Sequence, residues 1–281
     1  MNMRRGGRKK RRCVKLARDS KGRYVGRAKS IPPAYTNVCL SADPSDRLQW
    51  TGVDNKGRTQ YGYSRVWRKQ QSDLKYDKLL HTGRVISAIR KWVSRELLKE
   101  VTNPIAIIIG TADHCRMRAG ATRYTRSSGN RGATTLLPSD FRAEPPMLTW
   151  NAKGGRERKC QIKSLPLARK IPNMFENTVH VNKVNAWLSE KYNGITLKDF
   201  RTWHANAVYL KHIIDGASHR ESVSFTAKNM GHTDKTCMSH YLDPFVIERA
   251  SRSSSGMIYP SLPGSLLSDS EQCLVRMLQQ K

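Results

Sequence analysis

The spacing of apolar residues changes near residue 80. Before it they alternate: "RLQWTGVDNKGRTQYGYS" reads as two short strands around a turn at Asp54, Asn55, Lys56 and Gly57. From His81 they recur every three or four positions. Val85, Ile86, Ile89, Trp92, Val93, Leu97 and Leu98 define one face of an amphipathic helix whose outer face is basic. Pro104 opens a second, more buried helix that should end by Gly120. Strand character returns over residues 134–163 in "ATTLL", "MLTWNA" and "RERKCQI". The Gly-Gly pair before the last of these predicts a hairpin turn with Lys153 at its tip. Helices resume over 181–191, stopped by Asn193-Gly194, and from Leu197 to about Ile214, stopped by Gly216. Thr196 with Asp199 is a start signal for the latter. "SRSSSG" reads as a flexible connector. A final helix starts at the capping box Ser268 to Glu271 and carries Leu274 and Leu278 on one face.

These elements predict an α+β chain. A basic disordered arm covers residues 1–29, a small β-rich N-terminal domain 30–78, and a mainly helical C-terminal domain with a small sheet 79–281, the two domains meeting at a linker around 78–82. Charge adds a partner. The net charge is +29, and the first thirty residues hold thirteen Lys and Arg against one Asp, so about +17 lies outside the arm. A polyanion is the natural partner. Nucleic acid is preferred over membrane, because no run approaches the roughly 18 apolar residues of a spanning helix. The opening "MNMRRGGRKKRRC" has no apolar core and is not a secretory signal. Six scattered cysteines without a CxxC read as reduced thiols of an intracellular protein. His232, Cys237 and His240 lack a fourth partner for zinc, so no metal site is expected.

Four stretches carry chemistry. "CRMRAGATRY" supplies Arg118, "WNAKGG" Lys153, "LKDFRTWHA" Arg201, and "NMGHTDKTCMSHYLDP" both His232 and Tyr241, nine positions apart. Each has an ordinary rival. Arg116 competes with Arg118, and Lys159 and Lys163 with Lys153. His232 and Tyr241 alone could be a turn residue and a packed helix residue. The order Arg, Lys, Arg, His, Tyr resembles the active site of type IB DNA topoisomerases of the small poxvirus, giant-virus and bacterial type. The resemblance extends to "TGVDNKGRTQYGYS", similar to a family segment whose Arg and Tyr side chains touch DNA, and spans roughly residues 46 to 280.

The resemblance implies relaxation of supercoiled DNA through a 3′-phosphotyrosyl intermediate, without ATP, metal or other cofactor. A phenolate can attack phosphorus and conserve the bond energy for resealing. Tyr241 is then the nucleophile, Arg118 and Arg201 the forked phosphate ligands, His232 a donor to a non-bridging oxygen, and Lys153 the general acid. Lys56, Arg58, Gln60, Tyr61, Tyr63 and Arg65 become the DNA-binding residues of the β-rich domain, with Tyr61 and Tyr63 on one strand face. The implied protein is a monomer of viral or bacterial origin that closes around duplex DNA and takes no small-molecule substrate. A tyrosine recombinase is the competing enzyme, but it carries His where Lys198 stands here and lacks the β-rich segment. A non-catalytic DNA-packaging protein would explain the charge without an ordered pentad.

Overall fold

The computed structural model describes residues 12–252 and 265–281. The chain divides into two compact units, Met1–Lys75 and Tyr76–Lys281. The first is built on an antiparallel sheet in the order β1 (Cys13–Val14), β2 (Thr36–Ser41), β3 (Leu48–Val53), β4 (Thr59–Tyr63). The β3–β4 turn lies where the alternation places it. Gly57 takes φ 70°, and the Asp54 carboxylate accepts the backbone N–H groups of Lys56 and Arg58 at 2.9 and 3.0 Å. A Cβ on Gly62 would lie 2.1 Å from the Trp50 indole, so that face of β4 packs on Trp50 and Tyr61 and Tyr63 share the other.

Residues 12–29 correct the expected disordered arm. β1 pairs with β2, and Tyr24 and Ala28 join Ile31 and Leu40 in a small buried core. The apolar side chains scattered among the arm's charges suffice to anchor it there. Residues 1–11 of the expected arm, and 253–256 of the expected connector, lie outside the described residues. The expectation of reduced thiols is also overturned in part. Cys13 is bonded to Cys39 and Cys115 to Cys160, with Cα separations of 5.1 and 5.6 Å, pairings that only the folded chain brings within reach. Cys237 and Cys273 are free and buried.

Helix α1 (Arg65–Leu97) begins in the first unit and ends in the second. Ser64 accepts the Trp67 N–H at 3.2 Å and starts it well before His81. The expected linker at 78–82 is helical, because Tyr76, Leu79, Thr82 and Gly83 continue the spacing of Ile86, Ile89 and Val93, and all are buried. Leu98 lies beyond the helix and is exposed.

The second unit continues with α2 (Pro104–His114), α3 (Thr122–Ser128) and a three-stranded antiparallel sheet of β5 (Phe141–Arg142), β6 (Met147–Ala152) and β7 (Arg156–Gln161). "ATTLL" is not a strand. The Ala133 and Thr134 N–H groups bond to the carbonyls of Arg118 and Ala119, both at 2.8 Å, rather than to a ladder. There follow α4 (Leu165–Lys170), α5 (Asn173–Glu176), α6 (Val181–Lys191), α7 (Leu197–Ile214), α8 (His219–Met230), α9 (Asp234–His240), α10 (Pro244–Arg252) and α11 (Asp269–Leu278). The architecture is α+β, with a small N-terminal sheet and a helical C-terminal part. Helix α7 is central, burying Leu197, Phe200, Trp203, Tyr209 and Leu210. Gly83 of α1 lets it approach closely, since a Cβ there would lie 2.7 Å from the Trp203 ring.

Candidate active site

Arg118 follows α2 on an irregular segment held from two sides. Arg116 adopts φ 51°, an uncommon left-handed conformation for a non-glycine residue. Residues 118–120 lie against 132–134, so closely that a Cβ on Gly132 would fall 2.4 Å from the Arg118 carbonyl oxygen. Arg201 enters from the second turn of α7. The Thr196 N–H and hydroxyl both donate to Asp199, at 2.8 and 2.7 Å, which fixes where that helix begins. The Arg201 guanidinium is buried. It donates to the Arg116 carbonyl through one nitrogen and to the Met230 carbonyl through another at 2.8 Å, while its Nε has no partner.

His232 sits just past the end of α8, where Gly231 takes φ 70° and the His232 N–H returns to the Ala227 carbonyl at 3.0 Å. Tyr241 closes α9, its N–H bonded to the Cys237 carbonyl at 3.0 Å. Asn206 of α7 pins this turn, donating to the Tyr241 carbonyl at 2.9 Å and accepting the Asp243 N–H at 2.8 Å. The imidazole and phenol rings stack with centroids 4.5 Å apart and planes 14° apart, and the Arg201 guanidinium lies 5.6 Å from the phenol centroid. Both ring nitrogens of His232 are buried without a hydrogen-bond partner.

Electrostatics bind the four into one site. Burial alone would raise the Tyr241 pKa, but the charges and hydrogen bonds of Arg201 and Arg118 outweigh it and bring the phenol below its ordinary 10.0. Burial and the Arg118 charge lower Arg201 to about 10, which leaves it a cation at neutral pH. Burial, then the Arg201 and Arg118 charges, push His232 to about 4, so the imidazole is neutral and offers one N–H. The result is a half-buried phenol under two cations beside a neutral, unengaged imidazole. Such a set suits a nucleophile next to a bound oxyanion.

Lys153 stands apart from these four. It is exposed in the β6–β7 turn, where Gly154 and Gly155 take φ 89° and 70°, and among the described residues its ammonium has no hydrogen bond or ion pair. Its rivals Lys159 and Lys163 are also outside the cluster, Lys159 pairing with Glu157 at 3.3 Å. Arg116 is adjacent, its side chain donating to Asn229. The alternative zinc set is broken up: Cys237 is buried in α9 with its thiol pushed by burial to about 12, while His240 is exposed. No group of three or more metal-ligating side chains occurs among the described residues.

Arg158 and Asn206 were not singled out from sequence. Nothing in "RERKCQI" distinguishes Arg158 from its basic neighbours, and only the pairing of β7 with β6 and the position of α8 select it. In the first unit, Arg58, just before β4, donates to Asp54 at 2.8 Å, and Gln60, which alternates with the tyrosines along β4, donates to the same carboxylate at 2.9 Å. Arg58, with the backbone around it, holds the Asp54 carboxyl well below the usual range. Tyr61 is exposed, and Tyr63 stacks on Trp67 at 4.3 Å. Lys56 and Arg65 are exposed.

No protein-family model matches the chain. DNA topoisomerase 1B of Acanthamoeba polyphaga mimivirus is 23% identical to it over 257 residues, covering 78% of this chain and 76% of the relative. The ordered Arg118, Lys153, Arg201, His232 and Tyr241 accompany that similarity, and together they support kinship with the viral type IB DNA topoisomerases.

Proposed function

We propose that the protein relaxes supercoiled duplex DNA by transient cleavage of one strand, and that Tyr241 is its nucleophile. The observation that carries this reading is the convergence of Arg118, Arg201 and His232 on one phenol, whose pKa Arg201 and Arg118 lower. In the proposed step the Tyr241 oxygen attacks phosphorus, the bond to the 5′-oxygen breaks, and a 3′-phosphotyrosyl ester remains. The departing oxygen takes a proton from Lys153. Resealing reverses each transfer, with the 5′-hydroxyl as nucleophile and tyrosine as leaving group, so no net energy input is needed. Arg118 and Arg201 neutralise the phosphorane oxygens, and the His232 N–H donates to one of them. The unpartnered His232 N–H and the unpartnered Arg201 Nε support this, since phosphate oxygens would give them acceptors. In that step Lys153 acts from the tip of its hairpin.

The first unit is assigned to duplex binding, through Lys56, Arg58, Gln60, Tyr61, Tyr63 and Arg65, and the protein is expected to act as a monomer within an infected cell or a virion. Plasmid relaxation in EDTA without ATP tests the reading. The wild type should relax the plasmid and leave a covalent protein–DNA adduct, and Tyr241→Phe should do neither. Relaxation by the Phe variant at the wild-type rate would end the catalytic assignment. Strand exchange that requires two specific sites would move the protein to the recombinases.

A further inference from the structure

In the proposed reaction Lys153 and His232 act on one phosphate, yet they lie on separate elements, a sheet hairpin and a helix end. Arg158 of β7 connects those elements. One of its terminal nitrogens donates to the Lys228 carbonyl at 2.9 Å and the other to the Asn229 carbonyl. Both carbonyls belong to the last turn of α8, where backbone donors run out: that of Lys228 also takes the Gly231 N–H at 3.2 Å, while that of Asn229 has Arg158. The planar fork spans two successive carbonyls with a separate nitrogen for each, and its charge suits the negative end of the helix dipole. The approach is close: a Cβ on Gly231 would meet Arg158 atoms at 3.0–3.2 Å.

The neighbouring bonds make this a hub. The next carbonyl, that of Met230, accepts from Arg201, and the Asn229 side chain accepts from Arg116. Arg158 forms no ion pair among the described residues. Burial, and then the charges of Arg118 and Arg116, oppose its own charge. A cation kept among cations requires a compensating role, and the helix-end carbonyls supply one. His232 follows that turn directly.

We propose that Arg158 is a positioning residue that fastens the Lys153 hairpin to the end of α8, fixing the spacing between Lys153, Arg201 and His232 across the reacting phosphate. The catalytic half of this statement rests on the function proposed above, but the fastening itself does not. Arg158→Ala and Arg158→Lys test both halves by two readouts. The first is hydrogen exchange of the amides at 227–233, which should quicken in Arg158→Ala while the core of α7 keeps its protection. The second is single-turnover cleavage of a prebound duplex. Cleavage should fall by about 10²-fold, as for other displacements of an aligned group, while DNA affinity measured in the Tyr241→Phe background stays unchanged. Arg158→Lys should recover part of the rate.

Unaltered exchange at 227–233 would overturn the fastening. Wild-type cleavage with weakened DNA binding would overturn the positioning role and make Arg158 a phosphate contact. Should Arg158→Ala not fold, Arg158→Lys carries the same test, and full activity with unaltered exchange in that variant rejects the proposal. A wild-type protein that forms no adduct at all would instead defeat the functional reading, and the exchange measurement would still decide the fastening.

Discussion

Tyr241 is under two opposed influences, and their balance sets how the site should respond to pH. Burial favours the neutral phenol, while Arg201 and Arg118 favour the phenolate and prevail. Cleavage by a prebound enzyme should therefore rise with pH and level off below 10.0. Arg118→Ala removes a positive charge near the phenol. Its plateau should move to higher pH, in addition to a fall in rate if Arg118 is the phosphate ligand proposed above. Single-turnover rates across pH measure both, and an unmoved profile would show that Arg118 does not act on the nucleophile. His232, its pKa pushed to about 4 by burial and then by the Arg201 and Arg118 charges, should add no inflection near 6.5 in the free enzyme. The left-handed Arg116 belongs to this scale too. Its backbone turns a carbonyl inward to receive Arg201, a local strain of the kind found where a site must be held in advance.

Among the elements, α11 contributes more than its sequence signature suggests. Glu271 caps its own helix by accepting the Ser268 N–H at 2.9 Å, as the capping box predicts. It also accepts from both terminal nitrogens of Arg90 at 2.8 Å and from the Trp203 indole at 2.7 Å, tying α11 to α1 and α7. Arg90 in turn holds Asp113, which bonds His204 at 2.7 Å. Glu271→Ala leaves a buried guanidinium short of a partner and should cost about 3–5 kcal/mol in denaturant unfolding. The pH sign follows from the folded state. Burial opposes ionisation of Glu271 and Asp113, but Arg90 and its neighbours overcome it and lower both pKa values. Their contribution is complete above the ordinary carboxylate range and is lost as pH falls through the folded pKa values. The variant should therefore lose less stability on acidification than the wild type. Gly83 offers a separate test at this scale. Alanine is the better helix former, yet Gly83→Ala should destabilise by about 1–3 kcal/mol, because Trp203 and Val275 already occupy the space of its Cβ. An unchanged unfolding midpoint would contradict that packing.

For the whole molecule, charge is the dominant property. A net +29 with about +17 outside the first thirty residues predicts DNA affinity that falls steeply with salt. Each neutralised phosphate contributes about −0.9 to the slope of log affinity against log salt. A slope steeper than about −4, hence more than four phosphate contacts, is expected from equilibrium binding of the Tyr241→Phe variant. A shallow slope would count against duplex DNA as the main partner. Among the described residues no helix is long and apolar enough to cross a membrane.

Sequence alone determined whatever depends on neighbours along the chain. The β3–β4 turn at Asp54–Gly57, the start of α7 at Thr196 and the capping box of α11 are local hydrogen-bond and φ requirements, readable from four or five residues. The candidate set Arg118, Lys153, Arg201, His232 and Tyr241 rested on a family resemblance in residue order; the structure gathers four of them and leaves Lys153 exposed in its hairpin turn. Tertiary structure decided the rest. It folded residues 12–29 into the sheet, ran α1 through the expected linker, joined four cysteines and selected Arg158 as the bridge to α8. Each of those outcomes turns on which distant groups meet, such as a carbonyl left bare at a helix end or a cysteine opposite another strand. Residue type and local spacing do not encode such meetings, because they arise only when separate elements pack.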